Sequence, residues 1–101
     1  GTGVAGEYKL FFEVRRFESD YAHTAVPSAT IEVSAKLLHV QQQKVAASRV
    51  FLQSTPAAST AVPDVARAFK QSLSKIGGEI AGWTLTSGEA YRRTLPPPAA
   101  P

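Results

Sequence analysis

Residues 62–83, VPDVARAFKQSLSKIGGEIAGW, decide the fold. Val62, Val65, Phe69, Leu73, Ile76, Ile80 and Trp83 recur at steps of three and four, the period that lines one face of an α-helix. Arg67, Lys70, Gln71, Ser74 and Lys75 fall on the opposite face. Ser59 or Thr60 is placed to accept a hydrogen bond from the amides that open the helix. Pro63 stands where a first turn tolerates proline, and Asp64 complements the positive end of the helix dipole. The pattern predicts an amphipathic helix of about five to six turns, with Phe69 and Trp83 in the core.

Gly77-Gly78 interrupts that helix with two residues that each cost roughly 0.5–1 kcal/mol relative to alanine. Ile76, Ile80 and Trp83 stay in phase across the pair, which favours one continuous helix over a kink or stop. A small surface at Gly77, Gly78, Ala81 and Gly82 would let such a helix approach a sheet closely. Residues 84–95 are polar and read equally as a final strand or a fraying end.

Upstream the period changes to two, the signature of strands with one apolar face. In 8–17, YKLFFEVRRF, Tyr8, Leu10, Phe12 and Val14 share one side, and Lys9, Phe11, Glu13 and Arg15 the other. After a loop closed by Pro27, residues 29–39 point Ala29, Ile31, Val33, Ala35 and Leu37 inward. Thr30, Glu32, Ser34, Lys36 and Leu38 point outward, as in an antiparallel strand with one wet face. Gln41–Lys44 is a polar turn leading to a third strand at 45–53. There Val45, Ala47 and Phe51 share a face that Arg49 interrupts.

The expected architecture is α+β: an antiparallel sheet of three or more strands with one long amphipathic helix across one face. One helix covers only one sheet face. Phe11, Leu38 and Val50 or Leu52 lie on the other, and an exposed apolar face of this kind waits for a partner. The domain is expected over residues 7–90, between a Gly-rich flexible lead at 1–6 and a disordered tail at 91–101, where Pro96-Pro97-Pro98 cannot join a helix interior or a ladder.

Composition narrows the chemistry. The 101 residues include 44% hydrophobic and 19% charged residues, enough apolar side chains for a core. There is no cysteine, which excludes a disulfide framework, a thiol nucleophile and a zinc knuckle. No run of 18 apolar residues is available to span a bilayer. Eleven Lys and Arg oppose eight Asp and Glu, a formal charge of +3, with the basic residues scattered rather than clustered. His23 and His39 are the two histidines, and neither sits in a metal-ligand spacing or beside a nucleophile elbow. Neither a catalytic site nor a cofactor or metal is expected. The aromatic and basic residues of the first strand resemble the base-stacking sheets of RNA-binding modules, but no dense basic tract accompanies them.

The ordered set of segments is more specific than any single residue. A strand with Tyr8, Leu10, Glu13, Val14, Arg16, Phe17 and Glu18 is followed by the Ala29–Leu37 strand, then Arg49-Val50-Phe51, then the Val62–Trp83 helix. This order resembles the C-terminal part of the ABC-type transport auxiliary lipoproteins, over residues 8–83. The resemblance implies a non-enzymatic periplasmic lipoprotein, anchored to the outer membrane and accompanying an MCE-type lipid-transport system. Implied partners are the MCE and permease components and phospholipid, with no nucleic acid; homo-oligomerisation through the open face is the other expectation. Family members carry an N-terminal lipobox cysteine and a preceding strand-and-helix half, neither of which this sequence contains. Phe11, Arg15, Arg16, Phe17 and Leu38 are the expected partner contacts.

Overall fold

The computed structural model describes residues 7–22 and 24–95 and runs β1 (Tyr8–Asp20), β2 (Ser28–His39), β3 (Lys44–Pro56) and α1 (Val62–Thr94). The strands form an antiparallel sheet in the order β1-β2-β3, and α1 packs across one face, so the expected α+β architecture holds. The flexible lead expected at 1–6, His23 and the Pro/Ala tail at 96–101 lie outside the described residues.

β2 is the centre of the sheet and of the core. Its alternation is as read from the sequence: Ala29, Ile31, Val33, Ala35 and Leu37 are all buried beneath the helix. Ile31, Val33 and Ala35 pack with Phe51, Ile76 and Ile80, flanked by Leu10, Phe69 and Trp83. Phe69 and Trp83, expected fully inside, are half-buried at the margin of this cluster. The Phe51 and Trp83 rings meet edge to face, their centroids 5.5 Å apart.

The outer strands are longer than their apolar patterns. Glu18, Ser19 and Asp20 pair with Thr30, Ala29 and Ser28, and Ser54, Thr55 and Pro56 pair with the same three residues from the other side. Backbone pairing with β2 carries these ends, and of the six side chains only Thr55 is buried, against Ser72 of the helix. In β3, Ala47, Arg49 and Phe51 face the helix, and Arg49 lies over the Phe51 ring with its guanidinium carbon 4.9 Å from the centroid. A register shift between Leu37 and Leu38 puts Val45 opposite Leu38, on the outer face rather than with Ala47 as expected.

The helix differs from its sequence reading at three points. Ala61 is the N-cap residue, with no side-chain cap; Ser59 instead donates to Asp64 Oδ2 at 2.6 Å and accepts from the Ala61 amide at 3.0 Å. The buried ridge is Ala68, Ser72, Ile76 and Ile80, while Leu73 is 56% exposed. Ser72 can occupy the inner position because its hydroxyl is satisfied, donating to the Ala29 carbonyl at 2.8 Å and bonding Thr55 Oγ1 at 2.6 Å.

Third, α1 is unbroken for 33 residues, through Gly77-Gly78 and on through 84–94, so residues 91–94 are its last turn rather than the start of the tail. Thr84, Thr86 and Thr94 return their hydroxyls to the carbonyls of Ile80, Gly82 and Tyr91. Glu89 holds Arg92 and Arg93, whose charges suit the negative end of the dipole. Low helix propensity in this stretch is overridden by tertiary contacts with β1 and β2, described next.

Candidate functional site

β1 is an edge strand with aromatic side chains on both faces. Phe11, Phe12, Val14 and Phe17 are each more than half exposed. The cause is geometric: α1 lies over β2 and β3 and leaves the inner face of β1 uncovered along most of its length.

A register shift between Val14 and Arg16 leaves Arg15 as the extra residue of a bulge. Before it, Leu10, Phe12 and Val14 oppose the inward Leu37, Ala35 and Val33; after it, Phe17 and Ser19 oppose the inward Ile31 and Ala29. The bulge therefore moves Phe17 to the helix side, where its ring stacks on Phe69 at 4.9 Å. Strict alternation would have left Phe17 beside Phe11. The two phenylalanines instead lie on opposite faces, so the aromatic and basic residues of β1 do not form one stacking platform.

The expected contact residues thus divide into three groups. Phe11 and Leu38 share the outer face and line a groove of about 630 Å³ with Phe12, Glu13, Ser34 and Lys36. Val45, Val50 and Leu52, each about half exposed, extend this apolar surface across the sheet. Arg15 and Arg16 belong to a charged cluster further along: Arg15 approaches Glu32 at 3.5 Å, and Arg16 bonds Glu18 at 2.5 Å and Asp20 at 3.4 Å. The Glu18 carboxylate holds the Arg16 guanidinium even above its usual range. Phe17 stands alone on the inner side.

A second feature was not legible in the sequence. Between β1 and the C-terminal half of α1 runs an apolar groove of about 500 Å³, lined by Leu10, Phe12, Gly77, Ile80, Ala81, Thr84 and Leu85. It continues past Thr84 and Leu85 into a space of about 290 Å³ bounded by Tyr8, Leu37, Gly88, Glu89 and Arg92. Gly77, Gly78 and Gly82 do not touch the sheet, because a methyl group added at any of them would meet nothing within 4 Å. The close helix–sheet approach expected of these small residues is absent; two of the small residues, Gly77 and Ala81, line open space instead.

The groove is closed at its far end by an aromatic cluster. His39 is fully buried, with the rings of Tyr8 and Tyr91 each 5.1 Å from its own and the Gln42 amide donating to its Nδ1 at 3.2 Å. Histidine thus serves packing here. Among the described residues no group of three or more His, Asp or Glu could hold a metal, and no helix is long and apolar enough to cross a membrane.

Fold and surface together define a class: an α+β domain whose edge strand is open on both faces. The sequence places it more narrowly. Residues 2–81 match the family model of the ABC-type transport auxiliary lipoprotein component, and the chain belongs to that family. It is similar to protein XCC0632 from Xanthomonas campestris, a DUF330 protein of known crystal structure, with 50% identity and a TM-score of 0.84 over 86% of this chain. The chain spans about half of that relative, 51% of its length. No curated protein shows significant similarity to it.

Proposed function

We infer that this chain is a non-enzymatic docking domain of an auxiliary lipoprotein that serves a lipid-transporting ABC system of the MCE type in the bacterial envelope. The observation that carries the reading is the family match over residues 2–81, most of the folded chain. The described residues agree with a binding role: their conspicuous exposed surfaces are apolar, and Arg16, Asp64 and Glu89 are engaged in local ion pairs. In this reading the longer lipoprotein sits in the periplasm on an outer-membrane anchor and tethers the MCE and permease components. Phospholipid is the cargo of that assembly.

Phe11 and Leu38 on the outer sheet face are the proposed contact, with Arg15 and Arg16 at its border; Phe17 serves it only indirectly, from the other side of the sheet. Co-purification of the intact lipoprotein with the MCE and permease components of the same genome tests this. Phe11→Asp combined with Leu38→Asp should abolish co-purification while leaving the circular dichroism spectrum unchanged. Absence of both components from the wild-type eluate would sink the reading.

A further inference from the structure

Among the described residues, β3 leaves a free sheet edge with few of the devices that normally guard one. Its ladder with β2 runs from Ala47 to Pro56 without a register shift, and Arg49 is the single charged residue in that run. β1, the other edge, is broken by the bulge at Arg15 and charged along its length. Bulges and charges are what keep a strand edge from pairing with another chain.

The β3 edge is complementary to itself. An antiparallel pairing of two identical strands about a two-fold axis centres on one residue. Centred on Phe51, it sets Val50 opposite Leu52 of a second copy on the outer face, twice over; the two are 48% and 53% exposed. On the inner face it sets Arg49 opposite Gln53, with Cβ atoms about 5 Å apart. Gln53 already donates to Glu79 Oε1 at 2.5 Å, so a carboxylate waits where the second copy's Arg49 arrives. Among the described residues no ion pair engages Arg49 or Glu79 within the chain. Centring on Val50 or on Leu52 instead sets Arg49 opposite Phe51 or Thr55, away from that carboxylate.

Helix spacing agrees. α1 rests on β2 and β3 about equally. Joining β3 to β3 therefore puts the two helices two strand spacings apart, about 9.6 Å, within the roughly 8–10 Å at which helices pack. Joining β1 to β1 would separate them by about four spacings, near 19 Å, too far to touch.

We propose that β3 is a self-association edge: two copies of this chain pair antiparallel about Phe51 into a six-stranded sheet, with Arg49 of each facing Glu79 of the other. The inference does not rest on the transport reading, since it concerns only how a sheet edge is closed.

Sedimentation of the 101-residue chain at rising concentration should show a monomer–dimer equilibrium, and amide exchange along β3 should slow as the dimer forms. Arg49→Glu and Glu79→Arg each place like charges at both contacts and should weaken association by about tenfold or more, with unchanged circular dichroism. An equimolar mixture of the two variants should recover wild-type association, because each contact of the mixed dimer again joins opposite charges. An ion pair within one chain would stay broken in that mixture. A wild-type chain that is monomeric up to roughly 1 mM overturns the proposal. So does a dimer abolished by Phe11→Asp and indifferent to Arg49→Glu, which would make the outer sheet face the interface. An intact lipoprotein that stays monomeric while this chain pairs also overturns it, since β3 would then be covered from within the longer chain.

Discussion

The Tyr8 hydroxyl donates to the Gly88 carbonyl at 3.0 Å across 80 residues of sequence, tying the start of the first strand to the last turns of the helix. With the Tyr8–His39–Tyr91 rings it forms the clasp that holds residues 84–94 in helical form. Phe17 stacked on Phe69 is the matching contact at the other end, and the groove opens between the two.

Tyr8→Phe should destabilise the protein by about 0.5–1.5 kcal/mol, the usual net worth of one hydrogen bond. Urea unfolding measures the total, and amide exchange should accelerate selectively over 84–94. Burial, then the neighbouring Tyr91, pushes the Tyr8 phenol above its ordinary 10.0. A folded-state value above the unfolded one means that this contribution is fully present below pH 10 and fades as pH rises beyond it. Unfolding of Tyr8→Phe should accordingly lack that part of the alkaline loss.

Ser72→Ala removes a buried hydroxyl that links the helix to two strands. Its proton goes to the Ala29 carbonyl, so Thr55 must donate to it. The substitution leaves Thr55 and Ala29 without that partner, and a loss of about 1–3 kcal/mol is expected. Adding Thr55→Val should recover part of the loss, a positive coupling that a double-mutant cycle reads directly.

The phase of the helix can be checked with two substitutions of similar size. Ile76→Ala, at a site 2% exposed, should cost about 2–5 kcal/mol. Leu73→Ala should cost less than about 1 kcal/mol in the same urea titration, because Leu73 is already mostly in water. Equal losses would place Leu73 in the core after all.

Asp64 sets the acid limb of stability at the helix start. The Ser59 hydroxyl, then the Arg67 guanidinium, hold its carboxyl below the ordinary 3.8. The depressed folded-state value makes this contribution present above that pH and lost as pH falls below it. Asp64→Asn should flatten the stability profile below about pH 4, with little change in slope near neutrality, when melting is followed across pH.

The transitions between periods two and three-to-four were enough to give the α+β class, because both patterns are local consequences of one buried face. β2, buried on its inner face along its whole length, read cleanly from Ala29 to Leu37. Residues 84–94 did not, because their helicity depends on Tyr8 and His39, remote in sequence. Leu73 and Ser72 exchanged roles because a serine with two hydrogen-bond partners can be buried where spacing alone favours leucine.

Among the expected contacts, Phe11 and Leu38 were legible as neighbours on the outer face, and Phe17 was not. A one-residue bulge at Arg15 reverses every side chain after it, and no local pattern announces such a bulge. By itself the sequence determined the elements, the core strand and the family, since each rests on short-range periodicity and an ordered set of residues. Tertiary structure alone decided which face Phe17 takes, where the helix ends and where the groove opens. Those depend on the register between strands and on a helix that covers only two of the three.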